Sequence, residues 1–351
     1  MRALYFGTYE RTYPRNAQVI SCLRRTGVEV VERHEPVWED EHKWSAGIAA
    51  AARLAAGEAR LLRRPREDFD VLIVGYPGHL DLPGARRAAR GRPIVFNPLV
   101  SLYDSFVDDR RRFRPGSPAA RALRWVDRAA LRAAALVVAD TSANAGYLAQ
   151  LGGLPPSRLD VCFVGAEERL FTPAWSPGER ILFVGKLIPL HGLDTILEAA
   201  RLAPDVPVRI VGSGQLDQLL ERRPPNVEWI PWIDYERLPG VYRESLCALG
   251  IFGTSDKARR VIPNKVFQAL ACGAPVLTAD TPAARELLTD GKSALLVPPG
   301  DPTALATAMK RLTEDEELRS RIAEGGHRVY RERASEQVLG ERWRLLLEAL
   351  L

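Results

Sequence analysis

Lysine is scarce in this chain: six of its 49 basic residues are lysine and the rest are arginine. Two of the six fall where an anion would be held. Around Lys265 the run Ile262-Pro263-Asn264-Lys265-Val266-Phe267-Gln268-Ala269-Leu270-Ala271-Cys272-Gly273 reads as a helix with proline at its first position and glycine just past its end. Val266, Phe267, Leu270 and Ala271 share one face; Lys265, Gln268 and Cys272 share another. A helix N-terminus with a lysine beside it suits a phosphate. Around Lys186 the run Phe183-Val184-Gly185-Lys186-Leu187-Ile188-Pro189-Leu190-His191-Gly192 is a strand, a glycine and a loop with one cation near each end, a spacing that suits a diphosphate. Val211-Gly212-Ser213-Gly214 lets backbone amides approach a ligand. It lacks the third glycine and the later acidic residue of a dinucleotide fingerprint, so a tight strand-to-helix turn accounts for it equally well. Thr281-Pro282-Ala283-Ala284-Arg285-Glu286 offers an N-cap, a first-position proline and small residues that leave a helix start open.

Composition bounds what can position these residues. A chain of 351 residues with 46% hydrophobic and 26% charged residues is an ordinary globular protein of about two domains. Disorder, collagen and a disulfide scaffold are excluded. The longest apolar runs fall far short of the roughly 20 residues of a membrane-spanning helix. Met1 to Gly7 reads as a strand, not a signal peptide, so a cytoplasmic protein is expected. The net charge of +5 is a mild basic excess carried by arginine, mostly compositional, although arginine forks suit phosphates. Cys22, Cys162, Cys247 and Cys272 form no C-x-x-C pair and read as buried thiols. The five histidines show no metal spacing. No metal, no cofactor and no nucleic-acid partner is expected.

Short apolar, branched-residue strands alternate with helical stretches. In the first half the strands are Arg2–Phe6, Val28–Glu32, Asp70–Val74, Pro93–Asn97, Leu136–Ala139 and Arg158–Phe163, with helices over Ala17–Arg25, Lys43–Arg64 and Ser117–Ala134. Glu167 to Glu179, with Pro173, Pro177 and Gly178, has no periodicity and reads as a linker. The pattern restarts with strands Arg180–Val184, Val206–Val211, Val227–Ile230, Leu249–Phe252, Pro275–Ala279 and Ala294–Val297, and helices starting near His191, Gln215, Tyr235, Pro263, Pro282 and Asp301. The spacing predicts an α/β chain of two doubly wound domains, 1–170 and 171–334, with a helix over 335–351 packing back on the first. Ligands of such sheets bind outside the carboxyl ends of the strands, so a cleft between two facing domains is expected there. From the first half Gly7, Thr8 and Tyr9, then Arg15, and the run Asn97 to Asp104 would line it.

At these residues the sequence resembles the retaining glycosyltransferases of family 4, which have the GT-B fold of two facing Rossmann-like domains. The resemblance runs from about Arg180 to Glu314 on five motifs in order: Gly185-Lys186 with His191-Gly192, Gly212-Ser213-Gly214, Ala271-Cys272-Gly273-Ala274-Pro275-Val276, Arg285-Glu286, and Leu296-Val297-Pro298-Pro299-Gly300-Asp301. The first half matches in its alternating pattern and its Gly7 loop. The resemblance implies transfer of a sugar from a nucleotide-diphosphate donor with retention and without a metal. It makes Lys186, Lys265, Asp104 and Asp256 the catalytic candidates. It makes Gly7, Thr8, Gly185, His191, Gly212, Gly214, Arg260, Asn264, Gln268 and Glu286 the donor-binding set, and Tyr9, Arg15, Trp38, His79, Asn97 and Ser101 the acceptor side. The family's paired glutamates, with seven residues between them, are Arg260 and Gln268 here, and its lysine before the glycine is His191. Lys265 stands where it can restore the lost cation, and Asp256 where it can replace a lost carboxylate.

Three further features bear on partners. Arg121, Arg124, Arg128 and Arg132 line one helical face beside Trp125, and with Arg110-Arg111-Arg112-Phe113-Arg114 they suit peripheral binding to an anionic membrane as well as a solvated face. Trp38 and Trp44 flank Glu39-Asp40-Glu41, where aromatics can stack on a sugar or pack. Asp108-Asp109 resembles an acidic metal pair only superficially. The expected activity is a glycosyltransferase of cell-envelope or small-metabolite acceptors. Its rivals are another nucleotide-sugar enzyme, such as an epimerase, and an inactive nucleotide-binding GT-B subunit.

Overall fold

The computed structural model describes residues 1–39, 47–63, 65 and 67–351. Asp40, Glu41, Trp44 and the ends of the helix read over Lys43–Arg64 lie outside the described residues. The chain first runs β1 (Arg2–Gly7), α1 (Pro14–Arg25), β2 (Glu29–His34), α2 (Ile48–Leu61), β3 (Val71–Val74), α3 (Leu82–Ala89), β4 (Ile94–Phe96), α4 (Pro118–Ala133), β5 (Leu136–Ala139), α5 (Ser142–Gly152) and β6 (Leu159–Val161). It continues β7 (Ile181–Val184), α6 (Leu193–Leu202), β8 (Val208–Val211), β9 (Val227–Ile230), α7 (Leu238–Arg243), β10 (Cys247–Leu249), α8 (Asp256–Arg260), α9 (Asn264–Cys272), β11 (Val276–Ala279), α10 (Pro282–Leu287), β12 (Leu295–Val297), α11 (Pro302–Glu314), α12 (Glu316–Arg333) and α13 (Glu336–Glu348). No helix among the described residues is long and apolar enough to cross a membrane.

Two compact units result, residues 1–164 with 336–351 and residues 165–335. The division comes a few residues ahead of the boundary read at 170, because Glu167 and Phe171 already bond and pack within the second unit. Each unit holds a six-stranded sheet, in the orders β2-β1-β3-β4-β5-β6 and β12-β11-β10-β7-β8-β9. Every pairing is parallel. The central strands β1, β3, β4, β5, β7, β10 and β11 are apolar on both faces because helices cover both, while the edge strand β2 carries Glu29, Glu32 and Arg33. Alternation along β1 makes this concrete. Leu4 and Phe6 join one core with Leu61, Leu72 and Val74, while Ala3 and Tyr5 join another with Val19, Leu23 and Trp343. Trp343 lies on α13, which brings Leu339, Leu346 and Leu347 into that second core.

Two elements differ from the sequence pattern. The strand read as Leu249–Phe252 ends at Leu249, because Phe252 leaves the ladder: its amide donates to the His191 carbonyl at 3.1 Å and its carbonyl accepts from Gly300 at 2.9 Å. The helix expected near Gln215 is a 3-10 turn over Asp217–Arg222, cut short ahead of Pro224 and Pro225.

Arg15 is fully buried. Its Nε and Nη2 donate to Asn97 Oδ1 at 3.0 and 2.8 Å, and its Nη1 donates to the Cys162 and Phe163 carbonyls at 3.1 and 2.9 Å. Trp343 lies 5.9 Å from the guanidinium carbon. One side chain thus ties α1 to the ends of β4 and β6 and to α13. This corrects the acceptor-side expectation for Arg15, whose guanidinium is spent inside the core, and for Asn97 Oδ1; the Asn97 Nδ2 is buried without a partner. Tyr9 is corrected likewise: it is buried, and its hydroxyl donates to Glu32 at 2.8 Å. Arg15→Met should lower stability by about 3 kcal/mol or more, since it strands several buried acceptors at once. An unchanged urea midpoint would show that Arg15 does not hold these elements together.

Candidate active site

In the second sheet the chain order reverses between β7 and β10. That switch point is where a doubly wound sheet leaves a crevice for a ligand. Gly185 follows β7 with φ +150°, and a Cβ there would stand 2.8 Å from Lys265 Nζ and 3.3 Å from His191 Cε1. Glycine at this position lets a lysine and a histidine side chain of different elements meet against the main chain. The Gly212-Ser213-Gly214 turn serves that loop rather than a ligand. A Cβ on Gly212 would fall 2.0 Å from the Gly185 carbonyl, and one on Gly214 2.8 Å from the Leu187 carbonyl. Leu187 donates to the Ser213 carbonyl at 3.1 Å and accepts from Leu216 at 3.0 Å. Gly212 and Gly214 are thus required by close packing that shapes the loop.

Lys265 is only 6% exposed. Its Nζ lies 3.7 Å from the centre of the Phe183 ring and has no hydrogen-bond partner. Burial holds its pKa well below the ordinary lysine range. His191 sits edge-on to the same ring, 5.7 Å between centroids. Burial, then the neighbouring Lys265, holds its pKa well below the ordinary histidine range. Its Nδ1–H donates to the Lys186 carbonyl, which leaves Nε2 as the acceptor nitrogen of a neutral ring. Lys186 itself is exposed. The start of α9 is capped by Pro263 without a side-chain oxygen, so its first amides keep the donor capacity of an uncapped helix. Asn264, half-buried, opens that helix. Lys186, His191, Asn264 and Lys265 thus come together around one switch point.

The rest of the donor set behaves differently. Helix α9 has no solvated face: every residue from Lys265 to Cys272 is buried. Gln268 is spent internally. It accepts from the Tyr242 hydroxyl at 3.2 Å and donates to the Tyr235 hydroxyl at 3.3 Å. Tyr235 in turn donates to Glu167 at 3.1 Å, which also pairs with Arg169 at 3.0 Å. This corrects the expectation that Gln268 is free for a ligand hydroxyl. Asp256 is exposed at the start of α8 and Arg260 half-buried at its end; Glu286, half-buried on α10, gives its carbonyl to Arg333.

In the first unit the residues after the strands are turned inward. A Cβ on Gly7 would lie 2.1 Å from Asp81 Oδ2. Asp81 accepts from both the Thr8 amide and the Thr8 hydroxyl at 2.9 Å. This corrects Thr8 as a donor-binding group, because an internal carboxylate already takes its amide and hydroxyl, and leaves Gly7 as the position where that carboxylate packs. Burial and the facing Asp81 raise Glu58 to about 9. Burial raises Asp81 as well, and two facing carboxyls both raised favour one proton shared between them. Asp127 collects Ser101 Oγ at 2.7 Å, the Leu102 and Tyr103 amides at 2.8 and 2.9 Å, and His79 Nε2 at 3.2 Å. Although burial opposes it, these donors, His79 first, keep Asp127 below the ordinary carboxylate range. Ser101 and His79 are thereby built into the loop's support, and Asp104 is buried just beyond, its amide donating to Ser101 Oγ at 3.1 Å. Trp38 is half-buried.

Comparison with known proteins agrees with this geometry. Residues 178–315 match the family model "Glycosyl transferases group 1", and residues 7–165 match "Glycosyl transferase 4-like domain". The chain belongs to the group 1 glycosyltransferases. Among curated relatives, the lipopolysaccharide core biosynthesis glycosyltransferase LpsE of Rhizobium meliloti is 25% identical over 54% of this chain and 57% of its own length. The phosphatidyl-myo-inositol mannosyltransferase of Mycobacterium leprae is 32% identical over 44% of this chain and 42% of its own length. The chain spans about half the length of the curated relatives it matches. Among solved structures, a sucrose-phosphate synthase from Thermosynechococcus elongatus superimposes with a TM-score of 0.75 at 15% identity, covering 99% of this chain and 98% of the other. Anabaena Alr3699/HepE, solved with UDP-glucose, gives 0.71 at 16% identity over 99% of this chain and all of its own. These likenesses establish the GT-B fold.

This group 1 glycosyltransferase also has supports that its sequence pattern did not announce as site residues: Asp81, Glu58, Asp127 and Phe183. Asp127 was legible in principle. Ala120, Asp127, Ala130 and Leu131 form the buried stripe of α4, and a lone carboxylate on an apolar stripe demands donors. Two of the arginines on the same helix are also structural, Arg128 and Arg132 donating to the Leu151 and Gly152 carbonyls at the end of α5. The Glu58–Asp81 pair has a pH signature. Because Glu58 is raised in the folded state, its contribution is full below its unfolded value of roughly 4.3 and is lost as pH climbs toward about 9. Glu58→Gln should flatten stability across that window. A variant whose thermal midpoint falls with pH as steeply as the parent's would exclude the shared proton.

Proposed function

We propose that this chain transfers a sugar from a nucleoside-diphosphate sugar to an acceptor, with retention at the anomeric carbon, and that the second unit binds the donor. The observation that carries the reading is the partnerless Lys265 amine at the switch point, with His191, Lys186 and the uncapped start of α9 around it. Departure of the diphosphate leaves an oxocarbenium-like sugar and concentrates negative charge on the phosphate oxygens. Donors fixed before the reaction, aimed where that charge grows, lower the barrier most. Lys186 and Lys265 are the catalytic cations in this reading. Asp256, exposed at the start of α8, is the carboxylate available to the donor sugar.

Solved neighbours with UDP or UDP-glucose bound support a UDP-sugar donor. The relatives named for lipopolysaccharide core and phosphatidyl-myo-inositol support an envelope glycolipid acceptor. The exposed surface supports a peripheral contact with anionic lipid: Trp125 on α4 is 70% exposed, and Arg121 and the basic loop Arg111, Arg112 and Arg114 are exposed near it in sequence.

A panel of UDP-sugars should show slow donor hydrolysis that disappears in Lys265→Ala. Nucleotide binding with no sugar release from any donor or to any acceptor would assign the chain as a binding subunit instead. Lys186→Ala should weaken UDP binding by about 1.5–3 kcal/mol, the value of a lost charged hydrogen bond; unchanged affinity by calorimetry would remove Lys186 from the diphosphate. The chain should also float with anionic liposomes at low salt, and Trp125→Ala with Arg121→Ala should reduce flotation. Failure to float would end the membrane reading.

A further inference from the structure

Lys265 is cornered. Its Nζ is buried, stands over the Phe183 ring, and is walled by the Gly185 backbone and the His191 ring edge. An ammonium brings three N–H donors that need acceptors, and Nζ has none. The ring face returns part of the lost hydration of a desolvated cation, but less than removing an unpaired charge from water costs. The balance favours the amine.

No carboxylate on the surrounding elements is bonded to Lys265, on which burial alone acts; Asp256, at the start of α8, is exposed to solvent. The loop after β7 brings His191 and Lys186, and α8 brings the buried Lys257, which acts on His191 together with Lys265. On the other sides of α9, the Tyr242 hydroxyl of α7 is bonded to Gln268, and His327 Nδ1 of α12 is bonded to the Leu270 carbonyl. Among the described residues no ion pair reaches Lys265.

We infer that Lys265 meets the nucleotide as a free amine and is protonated as the diphosphate enters, so that donor binding by this chain takes up about one proton from solvent. The inference rests on the diphosphate reading above. The lone pair on Nζ forms the new N–H bond with a solvent proton; no bond in the nucleotide breaks and nothing is oxidised. The diphosphate supplies both things the amine lacks, oxygen acceptors at hydrogen-bond distance and opposite charge, and each favours the ammonium. The same proton then stays on the leaving diphosphate's side of the reaction as part of a charged hydrogen bond. Binding of this kind weakens as pH rises, because the site must be protonated against a falling proton activity.

The test is calorimetry of UDP into the full chain at about pH 8.5, where a terminal phosphate with second pKa near 6 is already ionised and takes up no proton of its own. Titrations in two buffers of different ionisation enthalpy give the protons exchanged. The expected result is uptake approaching one proton for the parent, none for Lys265→Met, and retained uptake for His191→Gln. UDP binding should weaken toward about tenfold per pH unit on the alkaline side. Binding without uptake, or with a flat pH dependence, overturns the inference and leaves the diphosphate reading standing. Uptake that persists in Lys265→Met, or is lost in His191→Gln, moves the proton to His191 and also overturns it. Where Lys265→Met binds too weakly to titrate, His191→Gln and the parent's pH dependence decide. No UDP binding by the parent overturns both readings.

Discussion

A lysine buried with no acceptor for its Nζ is the constraint on which the second unit is organised. Gly185 has no side chain so that the Lys265 amine can reach the backbone after β7. The Gly212-Ser213-Gly214 turn packs on that backbone and fixes its path. His191 is locked onto the Lys186 carbonyl, which fixes both its tautomer and the curvature of the loop. Helix α9, buried on all sides, holds the lysine from beneath. Each of these arrangements is costly or neutral for folding taken alone. They make sense together as a site whose missing charge and missing acceptors come from a ligand.

The first unit resolves the same local problem in the opposite way. Its strand-end loops also present amides and polar side chains, but the chain supplies its own anions. Asp81 fills the Thr8 amide, Asp127 gathers the loop around Ser101, and Asn97 is consumed by Arg15. Such networks tie a loop to the fold, although Asn97 Nδ2 and His79 Nδ1 keep no partner. What sets the second unit apart is a buried lysine amine without an acceptor beside β7, which supports placing the anionic ligand there.

Much of the fold was legible because buried parallel strands and helix punctuation are local signals. Leu136–Ala139 and Val227–Ile230 fall where their branched residues put them, and Pro282 and Gly273 mark helix ends as their backbone limits require. Lys186, His191 and Lys265 were legible as a cation set, since a scarce residue type after a strand stands out. What was not legible is which polar residue a distant element would claim. Gln268 shares a helical face with Lys265, yet Tyr235 and Tyr242 take both ends of its amide. Arg15 and Asn97, 82 positions apart, each looked available until the fold joined them. Periodicity places a side chain on a face; it does not reveal the partner across the gap.

Arg260 and Gln268, where the family pattern carries two carboxylates, are best understood from this difference in partners. A carboxylate at 268 would sit within reach of Tyr235 and next in line to Glu167, and two buried acids around one hydroxyl would force one to hold a proton. An amide can accept from Tyr242 and donate to Tyr235 at once, so glutamine completes a chain that glutamate would strain. Glutamine also keeps α9 free of negative charge one turn beyond the partnerless Lys265 amine. In the proposed reading a diphosphate supplies the acceptors and the charge that Nζ lacks.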